Sequence, residues 1–95
     1  MSASDILVLA ETVRGNLSGM VPELLGAARS LAHATGGQVL AVVLSSDGAP
    51  FVAGLQAADR ILLVNHPALA EYAPEPFLAA LQAVIQAETP RAVLI

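Results

Sequence analysis

Gln38-Val39-Leu40-Ala41-Val42-Val43-Leu44 is the stretch that decides the fold. After Gln38 every position is apolar, and Val39, Val42 and Val43 are β-branched. A strand with one wet face would alternate apolar and polar residues. This one does not, so it reads as a strand covered on both faces, as in a parallel sheet flanked by helices. Ser45-Ser46-Asp47-Gly48 closes it with a turn signal.

The chain on either side repeats the theme. Upstream, Asp5-Ile6-Leu7-Val8-Leu9-Ala10 is a second short apolar run, followed by a loop over 11–18 that turns at Gly15-Asn16. Between the two strands, Met20, Val21, Leu24, Ala27, Ala28, Leu31 and Ala32 recur at helical spacing, which predicts a helix over 19–35. Ser18 is its expected N-cap, Pro22 sits in the first turn, and Gly36-Gly37 supplies the stop.

Downstream, 50–58 reads as a short helix and Arg60-Ile61-Leu62-Leu63-Val64 as a third strand. Asn65 or His66 is placed to cap a short helix at 68–72 that Pro67 opens. Pro74 and Pro76 interrupt, and a longer helix follows at 75–88, with its buried stripe expected from Phe77, Leu78, Leu81, Val84 and Ile85. Thr89-Pro90 ends it, and Arg91-Ala92-Val93-Leu94-Ile95 begins a fourth strand.

Strands alternating with helices point to an α/β domain with a parallel sheet. Right-handed crossovers and helices on both faces give the strand order 3-2-1-4, a three-layer α/β/α, Rossmann-like arrangement. In such a sheet a ligand sits outside the carboxyl ends of the strands where the order reverses, here between the first and fourth strands. Ala10, Glu11 and Ser45 are the crevice candidates, and the loop over 11–15 supplies half of the walls. The last five residues read as a central strand with no polar exit. The expectation is therefore a truncated sheet, residues 1–95 forming one domain cut from a longer protein. Its fourth strand would present an apolar edge, and a dimer or oligomer is expected.

The composition removes several chemistries. With 95 residues, 56% of them hydrophobic, the chain makes one small domain with a thin stability margin. Lysine, cysteine and tryptophan are absent, so a P-loop, Schiff-base catalysis, thiol catalysis, disulfides and thiolate metal sites are all excluded. The four cations, Arg14, Arg29, Arg60 and Arg91, are scattered among eight acids, which argues against nucleic-acid binding. His33 and His66 lack partners at zinc-ligand spacing, so no metal site is expected. Ser18, Ser30, Ser45 and Ser46 lack a nucleophile elbow, and no Gly-x-Gly-x-x-Gly occurs.

The plain readings of the remaining polar residues are these. Asp59 and Arg60 mark a solvated start of a strand, His33 a helix surface, and His66 a turn or cap. Glu11, at the end of the first strand, is the best-placed polar side chain, while Phe51, Tyr72 and Phe77 read as packing residues. No apolar stretch approaches the roughly 20 residues that span a bilayer, and the amino terminus lacks a basic, apolar leader. A cytoplasmic location is the expectation.

Several pieces of the sequence carry a likeness in order and with similar spacing. Ile6-Leu7-Val8-Leu9-Ala10-Glu11, Gly15-Asn16-Leu17 and Glu23-Leu24-Leu25-Gly26-Ala27-Ala28-Arg29 resemble the opening of the electron transfer flavoprotein alpha subunit family. Gly37 to Leu44 and Ala57 to Val64 resemble its second and third strands. His66-Pro67-Ala68-Leu69-Ala70-Glu71-Tyr72-Ala73-Pro74-Glu75-Pro76-Phe77 is similar to its proline-punctuated segment.

The resemblance implies an adenine nucleotide alpha hydrolase-like fold and an electron carrier rather than an enzyme. In that family an alpha and a beta subunit pair, and one FAD lies largely in the C-terminal domain of alpha. Electrons pass from dehydrogenases to a membrane oxidoreductase. The N-terminal domain serves as a platform, so no cofactor is expected in this chain. Its partners would be a beta-like subunit and the C-terminal flavin domain. No flavin-contacting residue transfers by motif. The alternative is a small adenine-nucleotide-binding or regulatory α/β module. A universal-stress-protein-like regulator would need a glycine-rich phosphate loop, which the sequence lacks.

Overall fold

The computed structural model describes residues 4–95; Met1, Ser2 and Ala3, part of the segment read above for a leader, lie outside the described residues. Four strands form one parallel sheet: β1 (Ile6–Leu9), β4 (Val39–Ser45), β5 (Arg60–Asn65) and β6 (Ala92–Leu94), in the order β5-β4-β1-β6. In chain order these are the third, second, first and fourth strands of the sheet. Ile6 pairs with Val39 on one side and Ala92 on the other, and Leu40 pairs with Arg60.

The unbroken apolar runs have a direct structural cause. Ile6, Val8, Val39, Ala41 and Val43 project to one face and pack with the helix α1 (Val21–Thr35). Leu7, Leu40, Val42 and Leu44 project to the other, towards the helix α2 (Pro74–Glu88). Each strand therefore feeds two cores, and β4 is buried at every position. Fully burying each large side chain contributes roughly 1.5–3 kcal/mol, so β1 and β4 are the thermodynamic centre of the domain.

α1 buries Val21, Leu25, Ala28 and Ala32, whereas Met20 and Leu31 are 56% and 42% exposed. None of α2 is fully buried; Phe77, Leu81, Val84 and Ile85 are half-buried and Leu78 is 58% exposed. The expected apolar stripes are thus too wide at Met20, Leu31 and Leu78. A helix about 10 Å across covers about two strands spaced at about 4.8 Å. One helix on each face cannot roof all four strands, and the outer flank of each helix stays open.

The helix ends also differ from expectation. Met20, not Ser18, occupies the N-cap position, without a side-chain cap. Ser18 instead ties the preceding turn: its hydroxyl accepts from Met20 N–H at 3.2 Å and its carbonyl from Val21 N–H at 3.0 Å. Gly36 closes α1 as expected, its N–H bonding to Ala32 O. Gly37 has a different reason to be glycine, because a Cβ there would run into the backbone of Ser4 and Asp5. The segments expected as short α-helices are 3₁₀ turns, at Ala49–Leu55 and Pro67–Leu69.

The expected loop after β1 contains an antiparallel ribbon, β2 (Thr12–Val13) paired with β3 (Asn16–Leu17). Its two-residue turn has positive φ at both positions, 53° at Arg14 and 79° at Gly15. That is a type I′ pattern; glycine suits it, and arginine adopts it at a cost.

Candidate functional site

Every parallel strand ends at the same side of the sheet, and the loops there build a hollow. It is a cleft of about 650 Å³, within the range of small-molecule sites. Buried Ala10, Leu44 and Leu69 form its base together with half-buried Leu9, Phe77 and Leu81. Exposed Glu11, Arg14, Glu71 and Tyr72 stand around it.

Local sequence explains how these residues arrive. After β5, Ala68 N–H donates to His66 Nδ1 at 3.0 Å, so His66 caps the 3₁₀ turn that Pro67 starts and drops Leu69 into the core. Ala73 is extended, as a residue before proline must be, and Pro74 then opens α2. Tyr72 is left outside, with its ring 5.1 Å from that of Phe77 at a 52° tilt. On the opposite wall, Ser18 N–H donates to Glu11 O at 2.8 Å and folds the hairpin upright beside β1.

The point where the strand order reverses, between β1 and β6, holds only a hollow of about 130 Å³. Leu9, Glu11, Ser18, Met20, Val21, Leu24 and Ile95 line it. The main cleft has moved one strand over, onto β1 and β4, because the proline-rich segment and the hairpin rise there.

The three crevice candidates are not brought together as a set. Ala10 lines the main cleft but is 1% exposed, and its N–H is committed to Val42 O at 2.9 Å. Glu11 lines both hollows. Ser45 lines neither: Leu44 takes the cleft side of β4, and alternation turns Ser45 to the other face. There its hydroxyl is buried without a hydrogen-bond partner among the described residues. The sequence includes Arg14 only as part of the 11–15 wall and reads Tyr72 as a packing residue, yet both stand at the cleft. The available signals were the Arg14-Gly15 turn pair and a tyrosine set between two proline-forced bends.

At the opposite end of the sheet two aspartates bond the strand backbone, while Glu88 Oε1 is buried without a hydrogen-bond partner among the described residues. Asp5 is 4% exposed; its carboxylate accepts from Gln38 N–H at 2.8 Å and its carbonyl from Arg91 N–H at 2.7 Å. Asp59 is more than a solvated strand residue. Its Oδ2 accepts from Arg29 Nη1 at 2.9 Å and from Val39 N–H at 2.8 Å. The Arg29 hydrogen bond, helped by the Val39 N–H, holds the Asp59 carboxyl below its ordinary range despite the opposing desolvation. Arg60 instead meets Glu88 at 3.2 Å.

Among the described residues no group of His, Cys, Asp and Glu could hold a metal ion. No helix among them is long and apolar enough to cross a membrane.

Comparison with known proteins fits this architecture. The family model for the electron transfer flavoprotein domain matches residues 6–95. The alpha subunit of electron transfer flavoprotein from Chromohalobacter salexigens is 43% identical over 89 residues, covering 90% of this chain and 21% of that protein. The alpha subunit from Methylophilus methylotrophus is 33% identical over 94 residues, covering 97% of this chain and 29% of that protein. The chain thus spans less than a third of the relatives it matches. With the match running from the first residue of β1 to the residue after β6, the chain belongs to the electron transfer flavoprotein family, on its alpha-subunit side.

Proposed function

We propose that this chain is the platform domain of an electron transfer flavoprotein alpha-like carrier. It offers surface to a beta-like subunit and to a flavin-binding half, and contributes no redox group or catalytic residue of its own. The cytoplasm is its compartment in this reading. The FAD of the full-length family would then be held outside these residues.

The observation that carries the reading is the chemistry at the start of α1, where an α/β domain of this kind would cradle a pyrophosphate. A dinucleotide needs free N–H groups and no competing anion at that helix end. Here Pro22 removes one N–H and Glu23 places a carboxylate in the first turn. Exposed Met20 stands where the chain should come close to phosphate. Between β1 and α1 lies a hairpin rather than a glycine-rich turn. These residues do not fit FAD.

A second reading, an adenine-nucleotide module, is favoured by one feature, the apolar cleft with Arg14 at its rim. Purification followed by calorimetric titration with AMP and ATP separates the two. The platform reading expects a colourless protein and no saturable heat. Stoichiometric flavin in the isolated chain contradicts it, and micromolar nucleotide affinity lost in Glu11→Ala establishes the alternative.

A further inference from the structure

The cleft on β1 and β4 carries polar side chains that the fold leaves uncommitted. Its walls are the hairpin after β1 and the proline-punctuated segment that runs into α2, all within residues 9–81. Both walls are stiff. On one side Glu11 O accepts from Ser18 N–H at 2.8 Å, and on the other Pro67, Pro74 and Pro76 fix the chain. A preformed hollow costs a ligand little ordering entropy. The floor is apolar, and Glu11, Arg14 and Glu71 stand exposed around it without an ion pair among the described residues. Tyr72, 76% exposed, adds an aromatic ring that Phe77 covers only in part, with centroids 5.1 Å apart and planes tilted by 52°.

We propose that this cleft binds a small amphipathic cation, an apolar or aromatic body bearing one ammonium group. The sign follows from the rim, where two carboxylates stand against one guanidinium on a chain of formal charge −4. Low-dielectric walls focus such a field, so a cation is drawn in and an anion is held off. The apolar body displaces water from Leu44, Leu69 and Leu81. The ammonium group stays at the rim, where Glu71 offers a carboxylate and its neighbour Tyr72 a ring face for a cation–π contact. Glu11 adds the second carboxylate from the hairpin wall. Arg14, at the turn of the hairpin, opposes a second positive charge and so limits the ligand to one. The inference rests on the cleft and its charges. It is independent of the platform reading, which concerns flavin, and it runs against the nucleotide alternative, whose phosphate would meet the same two carboxylates.

An NMR titration of the folded chain tests the proposal with three probes that share one ring: phenethylammonium, phenethyl alcohol and phenylpropionate. With the cation, the amide signals of Gly15, Ala70 and Glu71 should move saturably, with a Kd of about 1 mM or below. The alcohol should bind severalfold more weakly, and the anion about tenfold more weakly. Glu71→Gln and Tyr72→Ala should each weaken the cation severalfold, and Glu11→Gln should weaken it less. Arg14→Asn should tighten it about twofold. Glu23→Gln removes the same charge from the first turn of α1, away from the cleft, and should leave binding unchanged. Dispersed spectra confirm that each variant is folded. Absence of saturable shifts with the cation overturns the proposal. So does an anion or alcohol that binds as tightly, or a Glu71→Gln variant no weaker than Glu23→Gln.

Discussion

The two ends of the sheet are built differently. At the amino ends of the strands, backbone and carboxylates lock together: Asp5 on Gln38 and Arg91, Asp59 on Val39 and Arg29, and Thr35 on the carbonyl of Ser4. A positive φ and a buried oxygen without a hydrogen-bond partner among the described residues occur at both ends, at Arg14 and Ser45 by the carboxyl ends and at Thr89 and Glu88 by the amino ends. The carboxyl ends differ in carrying an exposed tyrosine and a cleft. Carboxylates bonded to strand backbone hold the strands in register at the amino ends, whereas the carboxyl ends open into the cleft. The amino end is the frame, and the carboxyl end is the surface available for work.

The sharpest way to break this contrast is at Gly37. Gly37→Ala drives a methyl group into the Ser4–Asp5 backbone. It should cost about 3 kcal/mol, near the upper part of the range for single substitutions, in urea unfolding.

Asp59→Ala comes next. It strands the N–H of fully buried Val39 and should cost about 2 kcal/mol. The acid dependence sharpens the point. Asp59 titrates below its ordinary 3.8 in the folded state, so its contribution is complete above that value and is lost as pH falls through the lowered one. Stability measured from pH 6 downwards should fall in the unaltered chain around and below pH ~4. The fall should be shallower in Asp59→Asn.

At the other end the effects are smaller and one reverses sign. Arg14→Asn, at φ 53°, relieves a left-handed arginine and should raise stability by about 0.5–1 kcal/mol in the same denaturation measurement. Tyr72→Ala, at a position 76% exposed, should change stability by no more than about 0.5 kcal/mol. A large loss at Tyr72 would make the cleft rim part of the frame.

Much of the frame was legible in the sequence because burial on two faces leaves an unmistakable run of apolar residues, as in Val39 to Leu44. The hairpin was not, since strands of two residues have no period to read. Met20, Leu31 and Leu78 were assigned to the core because periodicity marks the apolar face of a helix but not the width of the layer beneath it. Asp59 reads as part of a solvated strand start because its partner Arg29 lies on a helix that only the folded chain brings near. At the site, Glu11 followed from its position at the end of β1. Ser45 did not, because position along a strand says nothing of which face a side chain takes. That parity becomes readable once Leu44 is assigned to the α2 face.

Native-state hydrogen exchange compares the two ends most directly. The amides of Ile6, Gln38 and Val39, at the amino ends, should exchange only through global unfolding. Those of Ser18, Met20 and Ala68, at the carboxyl end, should exchange through local opening at least a hundredfold faster, a difference of about 2.7 kcal/mol. Equal protection at both ends, or faster exchange at Gln38 and Val39, would contradict the division into frame and working surface.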